Sequence, residues 1–196
     1  MSDPDIPWPK NGDVLFRHEE REWWHNACVG WPRDDRLGYT EGYRRATEQL
    51  LEHVLSSHRD HDTLVYPIIF CARHYFEIKL KYLFIAASSL LDKPWAISPR
   101  HPLTPRWQDL RPLLEEIFPG HDSGELAAVE AIVREFDSRD ASSMAFRYSE
   151  DTKGTPHQPS ASTIDLATFQ TTFKNVSSFL ESCDTAIQEY AASRQD

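Results

Sequence analysis

The residue types best suited to chemistry lie together in the run RHYFEIKLKYL, residues 73–83. If this run is helical, Arg73, Glu77 and Lys81 follow one another at every fourth position and form a row on one face. His74 borders the row, because it precedes Glu77 by three residues and Lys81 by seven. Arginine suits bidentate contacts with phosphate, and histidine changes its charge near neutral pH. The row therefore has the residue types of a site for phosphodiester chemistry.

The same row also has a structural interpretation. Charged side chains in a central helix cost free energy unless they are paired or face water. Glu77 lies between two cations and can satisfy both. The row therefore predicts either an ion-paired stripe that sets the register of the helix, or one wall of an open polar cleft. In such a cleft, Arg73 and Lys81 would hold a phosphate while His74 moves protons.

Two further segments supply candidates for the same cleft. His101 begins the segment HPLTPRW, just before a predicted helix. Asp140 follows another predicted helix, and Arg147 and Tyr148 lie further along in the segment FRYSED. Arg147 either anchors a carboxylate, such as that of Asp140 or Glu77, or contributes to a site. The candidate catalytic residues are His74, His101 and Arg147, and the candidate binding residues are Arg73, Glu77, Lys81, Asp140 and Tyr148.

Other catalytic and metal-binding patterns are weak in this sequence. The cluster HRDHD, residues 58–62, has two histidines three positions apart, but it is more typical of a solvated loop than of a zinc site. No GxSxG motif of a serine hydrolase occurs. Cys28, Cys71 and Cys183 are widely spaced, which is typical of free thiols, and Cys71 lies on an apolar face that disfavours a nucleophilic thiolate. We therefore predict no metal and no cofactor.

The charge balance limits the class of partner. The chain has 196 residues, with 21 Lys and Arg against 31 Asp and Glu, which gives a net charge of −10. Proteins held to DNA by charge need a broad basic surface, so this class is excluded. The first residues lack the pattern of a signal peptide, and no stretch approaches the roughly 18 apolar residues of a membrane-spanning helix. These features predict a cytoplasmic protein with no membrane association.

Apolar residues recur with helical spacing along almost the whole chain, so we predict an all-α fold. A Pro-rich lead-in, residues 1–12, precedes a single helical domain, residues 13–196, in which residues 149–162 form a polar loop. We expect a bundle of six or seven helices around a long central helix, and Pro112 is expected to kink or split one of them. The predicted helices span residues 13–29, 39–57, 64–91, 104–118, 122–136 and 164–192. Their predicted N-caps include Asp13, Thr104, Asp122 and either Ser162 or Thr163.

The last predicted helix has apolar residues at alternating steps of three and four. They are Leu166, Phe169, Phe173, Val176, Leu180, Cys183, Ile187 and Tyr190. This repeat of 3.5 residues is typical of a helix that packs along its whole length, either inside a bundle or in a coiled coil. The two predictions are thus a bundle face and a homodimer formed through the C-terminal helix.

Several of these segments together resemble a family of uncharacterised bacterial helical proteins. The pattern is an Arg-His pair followed by Glu and Lys on one helix, a His-x-Leu helix start, and an Asp…Phe-Arg-Tyr element. It covers residues 39–151 of this chain. The residues carried over from it are Glu77, Lys81, His101, Asp140, Arg147 and Tyr148. The resemblance brings no established role for any of them.

More distantly, the chain resembles HEPN domains, which are all-helical and often dimeric. Many HEPN domains are ribonucleases of toxin–antitoxin and phage-defence systems, and others bind nucleotides or act as scaffolds. Their ribonuclease signature, an Arg followed after four to six residues by a His, does not occur in this sequence. The resemblance therefore implies an accessory or defence-associated protein with a polar cleft, whose partner is a protein or RNA.

Two alternatives to an accessory protein remain open at this point. One is a metal-independent ribonuclease, in which His74 or His101 acts as general base or acid on a ribose 2′-hydroxyl group. Arg73 or Arg147 would then stabilise the phosphorane. The other alternative is a structural dimerisation module.

Overall fold

The computed structural model describes residues 8–30, 36–96, 101–120, 123–140, 142–157 and 163–194. The chain divides into two compact units, Met1–Asp35 and Arg36–Asp196. We describe each unit by itself, and all candidate site residues belong to the second.

In the first unit, described residues 8–30 form turns and one short 3-10 segment, Trp23–His25, and no α-helix. The helix predicted over residues 13–29 is therefore wrong. Its apolar side chains lie at the surface, and those of Trp23 and Trp24 are 68% and 61% exposed. Most of the stability of a helix in a protein comes from tertiary packing of one of its faces. Without that burial, helical spacing alone does not make this segment helical.

The described residues of the second unit form a bundle of five α-helices and contain no strand. The helices are α1 (Arg36–Ser57), α2 (His61–Leu90), α3 (Leu103–Ile117), α4 (Ser123–Asp140) and α5 (Leu166–Ser193). The all-α prediction is thus confirmed. Each of these helices overlaps a predicted one, and the expected six or seven become five in the described residues because residues 13–29 are not helical.

The longest helix, α2, lies at the centre of the bundle and packs against α1, α3 and α5. Along it, Tyr75, Phe76 and Leu80 are buried with almost no exposed surface. Their neighbours in the core include Trp107 of α3 and Phe173 of α5. Since α2 is surrounded in this way, a charged residue on it must be paired or must reach one of the few wet faces. This constraint shapes the candidate site.

Two features of α3 and α5 differ from the sequence prediction. Pro112 lies inside α3 and the helix is continuous from Leu103 to Ile117, so of the two expected effects the split does not occur. At the start of α5, the capping residue is Asp165, whose carboxylate accepts hydrogen bonds from the backbone N–H groups of Ala167 and Thr168. The predicted cap at Thr163 is therefore wrong, and its alternative at residue 162 lies outside the described residues, as does the predicted cap of α4 at residue 122. Aspartate is favoured as the N-cap here because its carboxylate can accept hydrogen bonds from two N–H groups at once.

The heptad-like face of α5 is buried within the bundle. Phe173, Val176, Leu180 and Ile187 are at most 7% exposed, whereas Tyr190 at the end of the series is 49% exposed. The prediction of a bundle face is therefore confirmed. This packing covers the surface that a homodimer through the same face would need.

Within the described ranges, no helix is long and apolar enough to cross a membrane.

Candidate functional site

Arg73 is the centre of the candidate site, and its side chain is only 1% exposed. Its Nε donates a hydrogen bond to the carbonyl oxygen of Asp140, at 3.1 Å, and its Nη2 donates to the carbonyl oxygen of His101, at 3.0 Å. Its Nη1 donates to Glu77 Oε2 at 3.1 Å. Arg73 thus joins α2 to the start of α3 and to the end of α4. A guanidinium group committed to three internal acceptors is a structural link, which is the paired interpretation of the charged row.

Glu77 lies beside Arg73 on α2, and its side chain is 12% exposed. Its second carboxylate oxygen, Oε1, lies 3.0 Å from His101 Nδ1 and 3.6 Å from Arg106 Nη2. The carboxylate therefore holds an arginine on one oxygen and an imidazole ring on the other. The His101 side chain is 66% exposed, so its other ring nitrogen, Nε2, is accessible to solvent.

Asp137, on α4, completes this group. Its Oδ1 accepts the backbone N–H of Leu103 at 2.9 Å, and its Oδ2 accepts that of Thr104 at 2.7 Å. Its Oδ1 also lies 3.9 Å from Arg73 Nη2. Asp137 therefore caps α3 from another helix, in the role predicted for Thr104. We call Arg73, Glu77, His101, Asp137 and Asp140 the polar junction.

Sequence reasoning missed Asp137 because a tertiary cap leaves no local spacing signal. The position of Asp137 gives one weak indication that it belongs to the site. It lies three residues before Asp140, and these positions are neighbours on a helix. Since the predicted helix ended at residue 136, neither aspartate was expected to project from a helix.

Asp140, the last residue of α4, orders the chain that follows it. It is 5% exposed, and its Oδ1 accepts hydrogen bonds from the backbone N–H groups of Met144, at 2.8 Å, and Ala145, at 3.1 Å. Its carbonyl oxygen is the acceptor for Arg73. Arg147 lies two residues beyond Ala145, so Asp140 positions it through the backbone rather than through the ion pair that the sequence allowed.

Arg147 lies against aromatic rings. Its Cζ is 5.2 Å from the ring centroid of Phe70 and 5.3 Å from that of Tyr148, which is 50% exposed. The His74 ring stacks on Phe70, with centroids 5.7 Å apart and ring planes within 14°. The ring of Tyr43 on α1 meets the His74 ring edge to face, with ring centroids 4.4 Å apart. We call Phe70, His74, Arg147 and Tyr148 the aromatic–arginine surface.

The environment of His74 favours its neutral form. Burial lowers the pKa of His74 below its ordinary value of 6.5, and the charges of Arg147 and Arg73 lower it further, although Glu77 opposes them. These charges act on His74 from both groups, so the polar junction and the aromatic–arginine surface are neighbours. At neutral pH the ring is uncharged and offers one donor and one acceptor nitrogen.

The structure thus brings together seven of the eight candidates from the sequence. The exception is Lys81, which lies one turn beyond Glu77 on α2, while Glu77 pairs with Arg73, His101 and Arg106 instead.

A different lysine of the same helix is buried. Lys79 is 3% exposed and pairs with Glu181 and Asp184 of α5, each at 2.6 Å. This pairing links α2 to α5 and lies apart from the candidate site.

In the parts of the chain that the structure describes, no group of three His, Cys, Asp or Glu side chains is arranged to hold a metal ion. In the HRDHD segment, whose last two residues begin α2, Asp60 Oδ2 lies 3.5 Å from His53 Nε2 rather than in a cluster with both histidines. Among the cysteines, burial raises the pKa of Cys71 and brings that of Cys183 to about 11. Both thiols are therefore poor nucleophiles at neutral pH.

The arrangement has two chemical capabilities. A carboxylate that holds one imidazole nitrogen leaves the other free to accept or donate a proton, which is the arrangement of a general acid–base pair. The aromatic–arginine surface offers flat rings next to a guanidinium group, which suits a ligand with stacked bases and phosphates.

Comparison of the chain with protein-family models, with curated proteins and with solved structures finds no match.

Proposed function

We propose that this chain is a HEPN-like accessory protein of the defence-associated kind, which binds single-stranded RNA on its aromatic–arginine surface without cleaving it. The observation that carries the proposal is the position of Arg147 between the rings of Phe70 and Tyr148. In proteins that bind single strands, bases stack on exposed rings and arginines contact the phosphates.

The burial of Arg73 supports binding without cleavage. A phosphorane needs a cation that can reach it, and the guanidinium group of Arg73 is 1% exposed and bonded to three internal acceptors. Arg106, the other arginine near Glu77, is 11% exposed. Among the residues that the structure describes, Arg147 is the exposed arginine of the site, and it lies against rings rather than against the Glu77–His101 pair.

The net charge of −10 sets the character of the binding. An acidic chain gains little from releasing counterions, so stacking supplies most of the affinity and salt affects it only weakly. We expect the protein to prefer single-stranded RNA to duplex, because paired bases do not expose their faces for stacking.

Fluorescence anisotropy with a labelled single-stranded RNA of mixed sequence tests this proposal. Tyr148→Ala and Arg147→Ala should each weaken binding about fivefold or more, since one base–ring contact contributes roughly 1–3 kcal/mol. Tyr190→Ala is a matched control because Tyr190, at the end of α5, is 49% exposed against 50% for Tyr148. Arg134→Ala, on α4, is the control for the arginine. Equal affinity in all four variants, or equal binding of duplex RNA, would refute the proposal.

A metal-independent ribonuclease is the second candidate, favoured by the contact between Glu77 and His101. In that mechanism, Glu77 orients the ring and His101 Nε2 takes the proton of a ribose 2′-hydroxyl group. The 2′-oxygen then attacks the adjacent phosphorus, and Arg147 stabilises the phosphorane. The P–O5′ bond breaks as the 5′-oxygen takes the proton back from the protonated His101 ring, which leaves a 2′,3′-cyclic phosphate and a free 5′-hydroxyl group.

Incubation of RNA with the protein in a metal chelator separates the two candidates. The ribonuclease mechanism requires cleavage that falls at least about 100-fold in His101→Ala, the lower end of what general acid–base catalysis contributes. His53→Ala, a histidine of similar exposure on α1, should cleave like the parent. Binding without cleavage supports the accessory protein, and equal cleavage by the parent, His101→Ala and Arg147→Ala would indicate a contaminant.

A further inference from the structure

A cavity of about 290 Å³ lies between α4 and α5, and none of the candidate site residues lines it. Its walls are mainly apolar and include five phenylalanines, namely Phe76, Phe136, Phe146, Phe169 and Phe173. Pockets that bind small molecules are typically of this kind, with apolar walls and a few polar groups. The cavity is therefore a candidate binding site separate from the proposed RNA surface.

Four of these phenylalanines, all except Phe146, form a continuous aromatic lining. The ring centroids of Phe76 and Phe136 are 5.6 Å apart, those of Phe136 and Phe169 are 6.1 Å apart, and those of Phe76 and Phe173 are 5.4 Å apart. These are ordinary distances for edge-to-face and tilted ring pairs. A further flat ring can join such a group by the same geometry, so the lining favours an aromatic ligand over a flexible chain.

The volume indicates the size of the ligand. An engineered apolar cavity of about 150 Å³ in another protein stays dry and binds benzene. The cavity here is about twice as large, which leaves room for two fused rings.

The mouth of the cavity carries charge. Three charged residues are among those that line the cavity, namely Glu135 and Arg139 of α4 and Asp165, and both carboxylates belong to exposed residues. Arg139 Nη2 lies 3.4 Å from Glu135 Oε1, which is a long contact, and the Glu135 side chain is 59% exposed. Two carboxylates against one guanidinium group leave a net negative mouth, which complements a cation.

We propose that this cavity binds a small aromatic amine, with a fused ring system among the phenylalanines and the ammonium group at Glu135. Asp165 adds to the negative field, although its carboxylate also caps α5 through Ala167 and Thr168. The proposal is independent of RNA binding, because the two sites share no residue.

Isothermal titration calorimetry on the full chain with three indole probes tests the proposal. Tryptamine carries an ammonium group, indole is neutral and indole-3-acetate carries a carboxylate. We expect tryptamine to bind at least five times more tightly than indole and more tightly still than indole-3-acetate. Failure of tryptamine to bind would overturn the proposal. Indole binding as tightly as tryptamine would also overturn it, and would indicate a purely apolar occupant such as a partner's side chain.

Two pairs of variants locate the site. Thr172→Trp fills the cavity, because Thr172 lines it, and should abolish tryptamine binding. Thr171→Trp changes the adjacent exposed residue, which does not line the cavity, and should bind like the parent. Glu135→Gln should remove most of the preference for tryptamine over indole, whereas Glu189→Gln, at an exposed position near the end of α5, should keep it. Unchanged tryptamine binding in Thr172→Trp would place the ligand elsewhere and refute the proposal.

Discussion

Removal of the Arg73 side chain is the sharpest test of the polar junction. The Arg73→Ala variant deletes three hydrogen bonds, to Glu77 and to the carbonyl oxygens of Asp140 and His101. It leaves the Glu77 carboxylate, 12% exposed, without its closest cation. It also leaves two carbonyl groups without this donor.

The size of the effect follows from burial. Breaking a buried ion pair by removing one partner costs about 3–5 kcal/mol when the remaining charge is uncompensated. Glu77 keeps His101 and Arg106 as partners, so the cost lies toward the lower end of that range. The two lost bonds to carbonyl groups act in the same direction, since a hydrogen bond to a charged group contributes about 1.5–3 kcal/mol. We therefore expect Arg73→Ala to lose at least about 3 kcal/mol of the free energy of unfolding. For a domain of this size, this is a large part of the usual total of about 5–15 kcal/mol.

Urea denaturation followed by circular dichroism measures this loss. Arg44→Ala is the matched control, because Arg44 pairs with Glu41 and Glu48 within α1 and its side chain is 26% exposed. Its loss should stay at or below about 1 kcal/mol. Arg73→Lys keeps the charge but not the three-way geometry, so it should fall between the two and remain measurable if Arg73→Ala does not fold. A loss below 1 kcal/mol in both Arg73 variants would refute the structural role.

Three further predictions concern other parts of the second unit. Asp137→Ala should cost about 1–2 kcal/mol in urea denaturation, because two N–H groups at the start of α3 lose their acceptor, and Asp137→Asn should keep part of that stability. The pKa of His74 is lower in the folded protein than in the unfolded chain, so the unfolded chain binds a proton more readily. The stability that neutral His74 contributes is therefore fully present above pH 6.5 and is lost as the pH falls through the folded-state pKa. Between about pH 7.5 and about pH 5, the parent should therefore lose stability relative to His74→Phe, and a constant difference would contradict the burial argument. Sedimentation at micromolar concentration should give the monomer mass of 22.7 kDa, since the apolar face of α5 is buried in the bundle, and a mass twice as large would show that a dimer forms through another surface.

The sequence predicted the helices that bury an apolar face and failed where no burial occurs. The spacing of apolar residues located α1, α2, α3, α4 and α5, because a face that repeats every 3.6 residues must be covered by packing. The segment 13–29 has similar spacing, yet Trp23 and Trp24 stay exposed and no helix forms there. Local periodicity records a tendency to fold, and only tertiary contacts show whether that tendency is realised.

The candidate site shows the same difference between what local sequence predicts and what tertiary contacts decide. Its residue types and their order along the chain were visible in the sequence, from Arg73 to Tyr148. Their partners were not, because Arg73 bonds to residues 28 and 67 positions away in the chain. Asp137 left no local signal for the same reason. Sequence spacing predicts contacts within one helix, whereas these contacts join three.

The sequence by itself determined an acidic, all-α protein with a charged row on its most apolar helix. The tertiary structure alone decided what that row does. Burial between α2, α3 and α4 turned Arg73 from a candidate phosphate ligand into a structural link, because a buried guanidinium group must satisfy its donors internally. It also left His101 and Arg147 exposed, where they can meet a ligand. Burial, which no local pattern specifies, separated the residues that hold the fold from those available for function.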